Sequence, residues 1–154
     1  MFRPLALFAL ALVMASPAIA CRLPAGAKAL TDETLAAINA ERQAKRLAPL
    51  ALDARLQEAA QAHACDSATR NRMGHEGSDG SDLGDRAARV GYDYREIAEN
   101  VAQGYPSPQS VTQGWMDSPG HRRNILMRRA QDAGLGIAVG SDGDLHWVLN
   151  LGRE

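Results

Sequence analysis

The chain has 154 residues, 45% of them hydrophobic and 23% charged, with 17 basic and 18 acidic side chains and a formal net charge of −1. That length fits one domain. The near-even charge balance gives no electrostatic case for a nucleic-acid partner.

The first twenty residues read as an export signal rather than as part of the domain. Arg3 supplies a positive start, Leu5 to Met14 is an apolar run, and Ala18-Ile19-Ala20 is an A-x-A cleavage site. The run is too short to span a membrane comfortably. The mature chain is therefore expected to start at Cys21, with no transmembrane segment, in the periplasm or outside the cell. Lipid anchoring at Cys21 is the competing reading. A lipoprotein signal usually carries leucine three residues before its cysteine, and Ala18 stands there. Loss of Arg3 with the signal takes the net charge to −2. Cys21 and Cys65 can form a disulfide in an oxidising compartment, but pairing cannot be read from sequence.

Residues 21–29 form a short lead-in containing proline and glycine, and residues 30–154 form the domain. Thr31 or Asp32 can cap a helix running to about Arg46. Pro49 and Asp53 mark a break and a second cap. Beyond Leu56, the positions Ala59, Ala60, His63, Ala64, Ser67 and Ala68 recur at helical spacing. Their small side chains let another layer approach closely. Met73 to Gly84 is a glycine-rich loop. A short helix follows around Leu83 to Val90, closed by Gly91.

Glu96 to Ala102 alternates like a strand, with Ile97, Glu99 and Val101 on one face. Ser107-Pro108 is a cap with a first-turn proline, opening a helix to about Met116, and Ser118-Pro119 repeats the device. The last segment is a hairpin. Leu135, Ile137 and Val139 alternate, Ser141 to Gly143 turns, and Leu145, Trp147 and Leu149 alternate back. No internal repeat or second domain is visible.

Glu99 carries the chemistry. A carboxylate on an inward strand face is costly unless it is paired or hydrogen-bonded. His75, in G-H-E-G-S-D-G, and His121, in S-P-G-H-R-R-N-I-L, lie in glycine-shaped turns and are the obvious partners. The structural alternative is a carboxylate that only crosslinks the scaffold. His75-Glu76 does not open an H-E-x-x-H zinc motif, because Asp79 takes the second histidine's place. No G-x-S-x-G nucleophile elbow is present. Asp79, Asp82 and Asp85 do not follow the calcium-loop pattern and are expected to cap the next helix. His63, on the small-residue helix face, and His146, on the outer face of the last strand, read as structural. Arg122, Arg123, Arg128 and Arg129 read as a solvated helix end.

The segments L-A-A-I-N-A-E-R (35–42), P-L-A-L-D-A-R-L-Q-E-A-A-Q-A-H-A (49–64), G-H-E-G-S-D-G (74–80), A-E-N-V-A (98–102), W-M-D-S-P-G-H-R-R-N-I-L (115–126) and G-L-G-I-A (134–138) together resemble the CAP superfamily. This family is also called the SCP or pathogenesis-related-1 domain. The resemblance runs from about Leu30 to the C-terminus. It implies an α+β fold, a three-layer α-β-α sandwich, with a surface cleft holding two histidines and acidic residues. His75, Glu99 and His121 fall on cleft positions. Many eukaryotic members carry a glutamate three residues after the tryptophan, where Ser118 stands here. Asp132, just before G-L-G-I-A, or Asp117 could complete the set.

Two histidines and a carboxylate with an open position would suit a divalent metal such as zinc, held by His75, His121 and Glu99. The same cleft could instead bind a small envelope ligand, lipid or cell-wall material without catalysis. A hydrolytic role would use Glu99 as general base. Fold does not decide among these.

Overall fold

The computed structural model describes residues 21–154. The export-signal reading of residues 1–20 lies outside them. Helix α1 spans Ala27–Ala44, β1 Ala51–Leu52, α2 Ala54–Arg70, α3 Leu83–Arg89, β2 Glu96–Gln103, α4 Pro108–Asp117, α5 Pro119–Ile125, β3 Asp132–Val139 and β4 Leu145–Arg153.

Local chemistry sets most of these boundaries. Asp53 caps α2 by accepting from the N–H groups of Arg55 and Leu56 at 2.9 and 3.1 Å. Asp82 and Asp85 form a reciprocal capping box at α3. Ser107 and Ser110 do the same at α4, with Pro108 in the first turn. Gly91 takes φ +73° just beyond α3, as the closing glycine requires.

Helix α1 departs from expectation. It starts at Ala27, so Thr31 and Asp32 lie inside it. The Thr31 hydroxyl donates back to Lys28 O at 2.9 Å instead of capping, and Asp32 pairs with Lys28 one turn earlier. Thr31 is buried, so packing rather than capping decides where this helix begins.

The sheet order is β1-β3-β4-β2. β1 runs parallel to β3, and the other two pairings are antiparallel. One face carries Leu135, Ile137, Trp147, Leu149 and Leu151, which pack against Ile38 of α1, Val111 and Trp115 of α4, and Ile125 of α5. The other face meets α2 and α3 through Leu56, Ala60, Ala64, Ala87 and Val148. The result is the expected α+β three-layer sandwich.

Layer spacing on the α2 side follows from residue size. A Cβ at Gly134 or Gly136 would collide with the α2 backbone at Leu56–Gln57 and Ala60–Gln61 respectively. The alanines facing them complete this close approach. It also corrects the reading of His146. That residue is fully buried, because α2 covers the strand face expected to be outermost. A central strand in a sandwich has no outer face.

Cys21 and Cys65 form a disulfide that ties the start of the described chain to α2. Beside it, Val139 N–H donates to Arg22 O at 2.8 Å.

Candidate functional site

The site lies at β2, an edge strand of the sheet. Successive strand residues point to opposite faces, and Glu99 and Asn100 use this to hold the two helical layers at one place.

Glu99 faces the α2/α3 layer, and its side chain is 2% exposed. Oε1 accepts from His75 Nδ1 at 2.9 Å, and Oε2 accepts from Arg86 Nη2 at 2.8 Å. Arg86, on α3, donates through Nη1 to the carbonyls of His75 and Ser81 at 3.1 and 2.9 Å. One guanidinium therefore neutralises the carboxylate and fixes the loop that carries His75. His63 of α2 stands behind the pair, with Nε2 at 4.0 Å from Glu99 Oε1 and 2.8 Å from Gly74 O. Burial lowers the His63 pKa below the ordinary histidine value, so its ring is neutral. A neutral ring facing a carbonyl through Nε2 must carry its proton there.

Asn100 faces the other layer. Its Nδ2 donates to His121 O at 3.0 Å, and its Oδ1 accepts from Asn124 Nδ2 at 2.9 Å. Asn124 also reaches Glu99 O at 3.3 Å. Helix α5, which carries His121, is thus fastened to the residue next to Glu99. The His121 pKa is lowered, first by desolvation and then by the nearby His75 charge.

The expected residues divide cleanly. His75 and Glu99 are in direct contact, and His121 lies on α5, whose backbone is held by Asn100 on the other face of β2. Asp132 is engaged elsewhere, with Oδ2 accepting from Tyr92 Oη at 2.7 Å. Asp117 is exposed and accepts from Gln113 at 2.8 Å. Among the described residues, no three His, Cys, Asp or Glu side chains are grouped to hold a metal ion. A cavity of about 410 Å³ opens beside His75 and Glu99, walled by Glu76, Asp82 and Leu83.

Arg86 is the member that sequence reasoning missed. It sits beside Ala87 on a seven-residue helix, and the only available signal was the unmet need of Glu99 for a cation. Arg42 was missed too. Fully buried, it donates to Ile125 O at 2.7 Å, Met127 O at 3.0 Å and Ala130 O at 3.2 Å, fixing the exit of α5.

Residues 35–151 match the family described as CAP, cysteine-rich secretory protein family. An uncharacterised protein of Bacillus subtilis, YkwD, is 33% identical over 113 residues, which is 73% of this chain and 44% of that protein. Among solved structures, an extracellular SCP-domain protein of Bacillus anthracis is similar with TM-score 0.72 and 27% identity, over 80% of this chain and 40% of that one. An outer surface protein of Borrelia burgdorferi shares the fold with TM-score 0.76 at 19% identity, covering 82% of this chain and 94% of its own. This chain thus spans less than half of the two Bacillus proteins. The family match covers most of the chain, including the strand and helix that carry Glu99 and His121, and this protein belongs to the CAP family of cysteine-rich secretory proteins.

Proposed function

We propose that this is an exported CAP-domain protein whose cleft binds a divalent metal such as zinc through His75 and His121, with Glu99 orienting His75. The observation that carries this reading is the 2.9 Å contact between His75 Nδ1 and Glu99 Oε1. A carboxylate that accepts a hydrogen bond from Nδ1–H of a neutral imidazole leaves the Nε2 lone pair outward, which is how carboxylates support metal-ligating histidines. Nε2 of His75 has no protein partner among the described residues. The lowered pKa of His121 favours the neutral ring that a metal requires.

In this reading the metal would be held by the two imidazoles, with Glu99 behind one of them. Glu99 as a direct ligand fits less well. Both its oxygens are engaged, one of them by a guanidinium whose charge opposes a second cation. That engagement also favours an orienting carboxylate over a general base. When bound, the metal would supply Lewis acidity to whatever shares its open positions. The adjoining cavity, with Glu76, Asp82 and Leu83 on its walls, is where a small envelope ligand would sit.

Export is supported by the Cys21–Cys65 bridge, since disulfides persist in oxidising compartments. It is also supported by relatives described as extracellular or as outer surface proteins. No helix among the described residues is long and apolar enough to cross a membrane.

Thermal unfolding with and without zinc tests the reading. A ligand that binds only the folded state raises Tm, because it stabilises that state by RT ln(1 + L/Kd), where L is the free ligand concentration. Wild type should gain stability with added zinc, and His75→Ala and His121→Ala should each lose the gain while remaining folded. Asp117→Ala should keep it. A zinc effect that survives in both histidine variants would remove the metal from this cleft.

A further inference from the structure

A second cavity, of about 350 Å³, lies between α2, the 77–81 loop and α3. It falls at the lower end of roughly 300–1,000 Å³, the usual range of small-molecule sites. Glu58, Ala62 and Asp66 line it from successive turns of one face of α2. Eight residues of helix, about 12 Å, separate the first from the last, so the cavity is a trough that runs along the helix. Ala59 and Ala62 on α2, with Val90 at the end of α3, give it apolar walls. The loop closes the Asp66 end and is preformed. Ser78 N–H donates to Asp66 at 2.9 Å, Ser81 N–H to Asp79 at 3.0 Å, and Gly77 N–H to Ser81 O at 2.9 Å.

The charges on the walls cancel in pairs, with one exception. Asp66 pairs with Arg70 at 2.7 Å, Asp79 with Arg89 at 2.6 Å, and Arg86 with Glu99 at 2.8 Å. Glu58 is exposed and has no ion-pair partner among the described residues. Arg55, one turn earlier on α2, is taken by Asp53 and Glu154. The trough therefore carries one unmatched negative charge, at the end away from the loop, on a carboxylate that solvent reaches. An anion would be repelled there, and a metal ion would find one free carboxylate only. Apolar walls that end on a lone carboxylate suit a single positive charge carried on an aliphatic stem.

We infer that this trough is a second binding site, for an alkylammonium ligand whose stem lies along Ala59, Ala62 and Val90 and whose nitrogen donates to Glu58. A lysine-type side chain on a peptide has this form. The inference does not depend on metal binding at His75 and His121.

Titration of the ¹⁵N-labelled protein tests it with three probes. Nα-acetyl-lysine methylamide carries the stem and the charge, Nα-acetyl-norleucine methylamide the stem alone, and phosphoethanolamine the amine without the stem. The backbone amides of Ala62 and Val90, on opposite walls, should shift saturably with the lysine probe. Its binding should be at least threefold tighter than that of the norleucine probe at low salt, and the difference should vanish at high salt, where exposed charges are screened. Phosphoethanolamine should not saturate. Glu58→Gln, at an exposed residue without an ion-pair partner, should keep the fold and bring the lysine probe down to the norleucine level. Ala62 is also exposed, so Ala62→Trp should fill the trough without disturbing the core and abolish the shifts. The inference is overturned if the lysine probe does not saturate, if either other probe binds as tightly, or if Glu58→Gln or Ala62→Trp leaves its binding unchanged.

Discussion

At Glu99, one carboxylate holds a guanidinium with one oxygen and an imidazole with the other, inside the domain. Removing one partner of a buried ion pair leaves an uncompensated charge, at a cost of roughly 3–5 kcal/mol. Arg86→Met should therefore destabilise the fold by about that much. Arg86→Met combined with Glu99→Leu should recover much of the loss, because no charge is then stranded. Denaturant unfolding of the two variants checks this, and equal losses would show that the pair is not the source. The inward carboxylate and its histidines were legible from strand alternation and the glycine turns. Arg86 was not, because nothing local links a residue on α3 to a carboxylate thirteen positions later. Asp132 makes its contact outside that pair. It shares the Glu99 face of the sheet, but Tyr92 lies within reach of its carboxylate.

The histidines also make stability depend on pH. The pKa values of His63 and His146 are lowered by burial. The unfolded chain therefore binds more protons than the native one below the ordinary histidine value of about 6.5. Stability is fully present above that pH and falls as pH drops through the window beneath it. Unfolding curves from pH 7.5 to 5 should show this decline, and His63→Phe should flatten it. A flat profile in wild type would contradict the buried neutral rings.

Among the elements, α2 and β3 make the closest approach. Gly134→Ala should force the two apart and destabilise by about 1–3 kcal/mol or more, read as a fall in denaturant midpoint. Ala62→Ser, on the exposed side of α2, is the control and should be near neutral. The alanine-rich pattern made this approach legible. The two-residue β1 was not, since it exists only through its pairing with β3. The start of α1 escaped because Gly26 precedes it in a left-handed conformation with no side-chain cap, while Thr31 resembles a cap yet lies within the helix.

The disulfide is also an element-scale device. It closes a loop with a sequence separation of 44 residues. The loop-entropy relation puts its stabilisation at about 4 kcal/mol, so reduction or Cys65→Ser should lower Tm markedly. The bridge uses the same sulfur that lipidation would need, so one chain cannot carry both at Cys21. Intact mass of the protein should show a loss of two hydrogens and no acyl chains. An acylated Cys21 would contradict the bridged form.

Across the whole molecule, the sandwich brings two layers to one edge strand, and the neighbouring residues Glu99 and Asn100 fasten one histidine-bearing segment each. Most elements were legible from their periodicity, while the three-layer arrangement followed from the family resemblance. The site's geometry was only partly legible, because its contacts join segments far apart in the chain. Side-chain ¹⁵N NMR of the histidines, recorded at neutral pH and titrated with zinc, tests the central claim most directly. Neutral His75 should carry its proton on Nδ1, and zinc should shift its Nε2 together with one ring nitrogen of His121. A His75 protonated on Nε2, or zinc that moves neither ring, would contradict a metal cleft oriented by Glu99.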